Sequence, residues 1–230
     1  MCVKEFFKLK GIIFDFNGTM YFDAKENEGA WRQFIFEKIG RQISDEEFKT
    51  RIHGRPNSSA LTYFLEKELS IEEAAALSEQ KEIIYRAMCQ QNSDRFHLVE
   101  GLPKLLNDLT ARNIPIAIAT AAGKSNLDFY MKHFKLDRWF DSSRIIYDDG
   151  TFPGKPNPAI YLKAAAALSL DPKDCLVVED SLSGIESAQR AKIGKIIGIS
   201  PQNDNSHLQT IPRLQKIIND FTEFDLSLLR

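Results

Sequence analysis

The chain has 230 residues, 43% of them hydrophobic and 27% charged, enough apolar material for a sizeable core with room for an insertion. Thirty basic residues against 32 acidic ones leave a net charge of −2, so no global field points to nucleic acid or to an anionic membrane. No apolar run nears the roughly 18 residues of a membrane helix, Met1–Lys10 is too charged for a signal peptide, and Cys2, Cys89 and Cys175 are too scattered for a disulfide framework or zinc cluster; a soluble cytoplasmic protein is expected.

The first element is Gly11-Ile12-Ile13-Phe14-Asp15-Phe16-Asn17-Gly18-Thr19. Bulky apolar residues run straight into a carboxylate, and a Gly-Thr turn follows. This predicts a buried parallel strand over 11–16 that delivers one charge to the carboxyl edge of a sheet, where open α/β sheets bind ligands. From about residue 23 to 95 the apolar period becomes helical, with Trp31, Phe34, Ile35, Lys38 and Ile39 on one stripe. Ser44-Asp45-Glu46-Glu47 and Ser70-Ile71-Glu72-Glu73 read as capping boxes, and Asn57 as the cap of a helix through Leu61, Phe64 and Leu65. An insertion of about four helices is predicted here.

Beyond Glu100, helices and strands alternate. Helices are predicted from Pro103, over Ser125–Phe134, Pro158–Leu168 and Ser183–Lys192, and last over Ile211–Phe221. Strands are predicted over Ile114–Thr120, Arg144–Asp148, Cys175–Asp180 and Lys195–Ser200. Ser183-Gly184-Ile185-Glu186 reads as a third capping box. Such alternation predicts an α/β fold, a Rossmann-like three-layer core with a mainly parallel sheet and right-handed crossovers. The strand at 11–16 belongs to that sheet. The α/β core is therefore discontinuous, 1–22 with 96–230, interrupted by a helical domain over 23–95.

Polar residues gather at the predicted strand ends: Asp15, Thr120, Lys155 in a Gly-Lys-Pro loop, and the pair Glu179-Asp180. Each suits phosphoryl transfer. A carboxylate can attack phosphorus and split hydrolysis into two steps. Its charge repels the phosphate, and Mg²⁺ suits a site of one or two carboxylates with a phosphate oxygen. A lysine can neutralise another oxygen, while a hydroxyl and the amides after it donate to the third. Singly, each feature is ordinary: strand-end aspartates commonly cap turns, and Gly-Lys-Pro is commonly an exposed loop. Their order and shared edge carry the inference.

The arrangement resembles the haloacid dehalogenase superfamily of phosphohydrolases, closest in style to the group with β-phosphoglucomutase and small sugar-phosphate phosphatases. The first motif, Asp-x-Asp-Gly-Thr, stands here as Asp15-Phe16-Asn17-Gly18-Thr19. Thr120 matches the second, Lys155 the third, and Glu179-Asp180 with Ser181-Leu182-Ser183-Gly184 the fourth. The resemblance implies that Asp15 is nucleophile and Mg²⁺ ligand. It further implies the Asn17 carbonyl and Asp180 as ligands, with Glu179 supporting the metal through water. Thr120 and Lys155 would hold the phosphoryl group, with Gly18, Thr19 and the amides of Ala121 and Ala122 lining its site. In the helical domain, a cap in this family, His53-Gly54-Arg55-Pro56-Asn57 resembles a loop whose arginine grips a second anionic group. Arg55 as an ordinary solvated cation is the equal alternative.

Asn17 departs from the family, whose second aspartate protonates the leaving oxygen and deprotonates the attacking water. The expectation is a Mg²⁺-dependent phosphatase of a small phosphorylated metabolite, monomeric or weakly dimeric, slowed by the amide. Two alternatives stay open: a β-phosphoglucomutase-type mutase, against which Asn27 occupies the position nearest the mutases' cap histidine, and a catalytically weakened binder of phosphorylated ligands. A true dehalogenase fits poorly, because Glu179-Asp180 beside Asp15 would be a like-charge liability without a metal.

Overall fold

In the computed structural model, which describes residues 9–52, 55–201 and 205–229, β1 (Gly11–Phe14) lies inside a six-stranded sheet. The other strands are β2 (Ile116–Ala119), β3 (Ile145–Ile146), β4 (Cys175–Glu179), β5 (Lys195–Ile199) and β6 (Lys216–Ile218). The order is β3-β2-β1-β4-β5-β6, and every pairing is parallel. This is the doubly covered α/β sheet that the alternation predicts. All four β1 residues are buried, as expected of a strand covered on both faces. Phe14 sits level with Ile118 on one side and Val178 on the other, so the ends of β1, β2 and β4 come out together. Cys2, the charged segment before Leu9, His53 and Gly54 lie outside the described residues.

The chain packs as two compact units, Met1–Phe22 with Leu98–Arg230, and Asp23–His97. In the second unit, α1 (Ala24–Ile39), α2 (Asp45–Glu47), α3 (Asn57–Leu65) and α4 (Ile71–Gln91) enclose Trp31, Phe34, Ile35, Ile43, Ile52, Leu61 and Phe64. A single π-turn, Phe48–Ile52, continues α2. Both capping boxes form: Ser44 N donates to Glu47 Oε2 (3.0 Å) while Ser44 Oγ accepts from Glu47 N (3.2 Å), and Ser70 and Glu73 repeat the exchange. Asn57 does not cap. Pro56 holds that position in extended backbone, and Asn57, the first helical residue, donates from Nδ2 to Glu82 at 3.2 Å. Buried charges in this unit are matched. Lys81, 3% exposed, meets Glu82 at 2.5 Å and Asn27 at 3.3 Å, and Glu26 meets Arg95.

In the first unit, α5 (Leu102–Ala111), α6 (Lys124–Phe134), α7 (Ala159–Ala167), α8 (Leu182–Arg190) and α9 (Ser206–Gln209) accompany the sheet. Ile13, Ala117, Val177 and Ile196 pack with Ile160, Ala164, Leu168, Ile185 and Ala188 in one layer. Phe14 meets Phe140 and Phe221 edge-on. Two sequence expectations fail here. Ile211–Phe221 is not a helix: Pro212 brings no N–H, Arg213 takes a left-handed φ of 72°, and β-branched Ile217–Ile218 extend the sheet as its edge strand. Nor does Ser183 open a capping box. Ser181 is the N-cap, its Oγ accepting from Gly184 N at 3.1 Å, and Glu186 pairs with Arg190 one turn on. Among the described residues, no helix is long and apolar enough to cross a membrane.

Candidate active site

Four segments of the α/β unit converge at the carboxyl edge. Asp15 follows β1 directly, tied to the sheet by its N–H to Val178 O at 3.0 Å. Thr120 follows β2, its N–H bonded to Ile146 O at 2.9 Å. Glu179 closes β4 and Asp180 follows it. Lys155 comes from the loop before α7, where Ser187 Oγ donates to Asn157 O (2.6 Å) and Asn157 Oδ1 accepts from Ala159 N (3.0 Å).

Lys155 is the hub. Its Nζ donates to Asp15 Oδ1 at 2.5 Å, to Glu179 Oε1 at 2.7 Å and to Ala119 O at 3.3 Å, with the side chain 7% exposed. Two buried carboxylates thus share one ammonium. Burial opposes the Lys155 charge, but the facing Asp15 and Glu179 outweigh it and hold the lysine protonated well above its usual range. Glu179 stays below its usual range: burial works against its charge, and Lys155 and Ser181 overcome it. Asp15 is the less well served of the two. Burial, helped by Glu179 and opposed by Lys155, pushes its carboxyl up to about 7.

Glu179 is saturated with donors. Oε1 accepts from Lys155 and from Tyr161 Oη (3.2 Å), Oε2 from Ser181 N (2.6 Å) and Ser181 Oγ (3.0 Å). Those four bonds occupy the usual acceptor sites of a carboxylate, which suits a supporting place rather than direct ligation. Asp180 is half-buried and receives Thr19 Oγ1 at 3.3 Å, while its main-chain carbonyl lies 3.0 Å from His207 Nε2. Gly18 turns the chain past it with φ +76°, and a Cβ there would collide with the Asp180 carboxylate. Single oxygens of Asp15, Glu179 and Asp180 lie within 4.8 Å of one another. Lys155 is shared by two of the three carboxylates in this cluster, whose donors are all hard oxygens. That donor set fits a divalent cation such as Mg²⁺.

Thr120 is 1% exposed, and its Oγ1 accepts from Ala122 N at 3.1 Å. The Ala122 amide is therefore spent on the threonine, while Ala121 is exposed on the same loop. Asn17, half-buried, donates from Nδ2 to Tyr130 Oη at 2.8 Å. Arg55 belongs to the helical unit, where it is exposed and its Nε donates to Thr50 O at 2.7 Å. Sequence reasoning missed Tyr161 and Tyr130, and it placed Ser181 in the fourth motif without its bonds to Glu179. Tyr161 had one signal, a lone phenol on the alanine-rich buried face of α7; Tyr130 had none.

Fold and site together define an α/β enzyme built around a carboxylate–lysine centre. A family model described as haloacid dehalogenase-like hydrolase matches residues 9–192, and the chain belongs to that family. It is 36% identical to a solved HAD hydrolase, family IA, variant 3, from Entamoeba histolytica, with a TM-score of 0.89 covering 96% of this chain and 97% of that one. Over 196 residues it is 26% identical to a phosphorylated carbohydrates phosphatase of Thermotoga maritima, 83% of this chain and 85% of that protein. Over 216 residues, 94% of this chain, it is also 26% identical to the bifunctional riboflavin kinase/FMN phosphatase of Arabidopsis thaliana, but it spans only 54% of that protein.

Proposed function

We propose that the chain is a phosphatase of small phosphorylated metabolites, sugar phosphates foremost, which carries the phosphoryl group transiently on Asp15. The observation that supports this most is Lys155 lying 2.5 Å from Asp15 and 2.7 Å from Glu179, with Asp180 alongside. An Asp15 oxygen attacks phosphorus, the ester P–O bond breaks, and the alcohol leaves with a proton taken from water. Water then attacks the aspartyl-phosphate, releasing inorganic phosphate and restoring the carboxylate. Lys155 favours the ionised form of Asp15 and faces a phosphoryl oxygen; Thr120 donates to another. Mg²⁺ held by Asp15, Asp180 and the Asn17 carbonyl, with Glu179 through water, would neutralise the repulsion between carboxylate and phosphate.

Asn17 sets the rate. An amide neither gives a proton to the leaving oxygen nor takes one from water, which forfeits about 10² to 10⁴ in rate, or about 2.7–5.4 kcal/mol of barrier. The helical segment, 23–95, would act as a cap that selects substrate, with Arg55 available for a second anionic group. Hydrolysis of a panel of phosphate esters, in Mg²⁺ and in EDTA, tests the proposal. Metal-dependent turnover lost in Asp15→Ala is expected; tight binding of a phosphorylated ligand without turnover would replace the phosphatase with a binding protein.

A further inference from the structure

Tyr130 stands fully buried on α6. Its ring stacks on Phe16 with centroids 4.3 Å apart and planes 19° apart, Phe129 meets it edge-on at 5.7 Å, and Phe134 lies 6.4 Å away. Phe16 separates Asp15 from Asn17 in the chain, so the phenol is clamped against the turn that carries residue 17. The Asn17 amide then donates to Tyr130 Oη at 2.8 Å. That turn is otherwise tight: Gly18 N donates to Tyr21 O at 2.8 Å, and Met20 N to Phe16 O at 2.7 Å. A phenolic hydroxyl both accepts and donates. Opposite an amide it accepts; opposite a carboxylate it would donate, in a charge-assisted bond about twice as strong as a neutral one.

Resting on the phosphatase reading, we infer that Tyr130 is the positioning residue for the side chain at 17. It fixes Asn17 as a static strut of the turn, where an acid/base residue must be able to reach the leaving oxygen. Restoring the acid alone is then insufficient. An aspartate at 17 stays tethered to the buried hydroxyl, and releasing it requires removing that hydroxyl.

A double-mutant cycle of wild type, Asn17→Asp, Tyr130→Phe and the double variant tests this. Each is assayed with Mg²⁺ on an alkyl phosphate, whose leaving group needs a proton, and on p-nitrophenyl phosphate, whose leaving group does not. On the alkyl ester, Asn17→Asp should raise kcat about tenfold and the double variant about a hundredfold, with KM within about threefold of wild type. On the nitrophenyl ester, whose first step needs no proton, any gain reports hydrolysis of the shared aspartyl-phosphate alone, and the same order of variants is expected. Equal alkyl-ester rates for Asn17→Asp with and without Tyr130, within about twofold, would overturn the tether while leaving the phosphatase intact. Absence of turnover by all four proteins would overturn the phosphatase instead. The tether is then decided by exchange of the Asn17 side-chain amide protons, followed by NMR. In wild type these should exchange at least about tenfold more slowly than in a free amide, and free-amide exchange would refute it. The same wild-type measurement decides the matter if Tyr130→Phe does not fold.

Discussion

Replacing Asp15 by asparagine should make the protein harder to unfold once divalent cations are removed. Asp15 and Glu179 compete for one buried ammonium, and Glu179 is the better served, with Ser181 and Tyr161 also donating to it. Burial pushes the Asp15 carboxyl from 3.8 up to about 7. Between those two values the folded chain holds a proton that the unfolded chain has released, so stability falls as pH rises through the window. A tenfold change in proton affinity is worth about 1.4 kcal/mol, which bounds the loss at about 4 kcal/mol by pH 8. Asparagine cannot ionise, and Lys155 keeps Glu179 at 2.7 Å and Ala119 O at 3.3 Å. Urea unfolding in EDTA should therefore favour Asp15→Asn by about 2–4 kcal/mol at pH 8, the gap closing below about pH 4. Adding Mg²⁺ should raise the wild type alone. A variant less stable than wild type at pH 8, or a gap that widens toward acid, would refute the reasoning.

Three further outcomes follow from the geometry. Acid quenching during turnover of a radiolabelled ester should trap phosphate on the peptide bearing Asp15, because Asn17 cannot activate water for the second step; turnover with no trapped label would exclude a long-lived intermediate. Gly18→Ala, at φ +76° and against Asp180, should cost about 1–3 kcal/mol of stability and weaken Mg²⁺ binding at least tenfold, roughly; calorimetry would check both, and unchanged metal affinity would show that this turn does not shape the cation site. Ser70→Ala removes the side-chain half of a formed capping box and should cost about 1 kcal/mol in thermal unfolding; a loss under roughly 0.3 kcal/mol would mean that α4 owes little to its cap.

Much of this was legible in the residues because burial leaves a plain mark. The strands β1, β4 and β5 are covered on both faces, so they read as apolar runs, and Asp15 and Glu179 stand out where those runs stop. The two cap boxes were legible because hydroxyl and carboxylate lie three residues apart in sequence. Local ambiguity hid β6: Leu214, Ile217 and Ile218 fit a helical stripe equally well, and only pairing with β5 settles them as a strand. Ser181 and Ser183 are equivalent by pattern, and the carboxylate of Glu179 chooses between them. Tyr130 could not be read at all, since its bond to Asn17 spans 113 residues and depends on how α6 returns to the turn after β1.

The place of β1 in the sheet order has a consequence for synthesis on the ribosome. This strand is made first among the six, yet both its neighbours come late, β2 at residues 116–119 and β4 at 175–179. Until β4 leaves the exit tunnel, one long edge of β1 has nothing to bond, and such distant pairings form slowly. Nascent chains stalled before residue 175 should thus expose an unsatisfied apolar ribbon, a natural target for a holding chaperone.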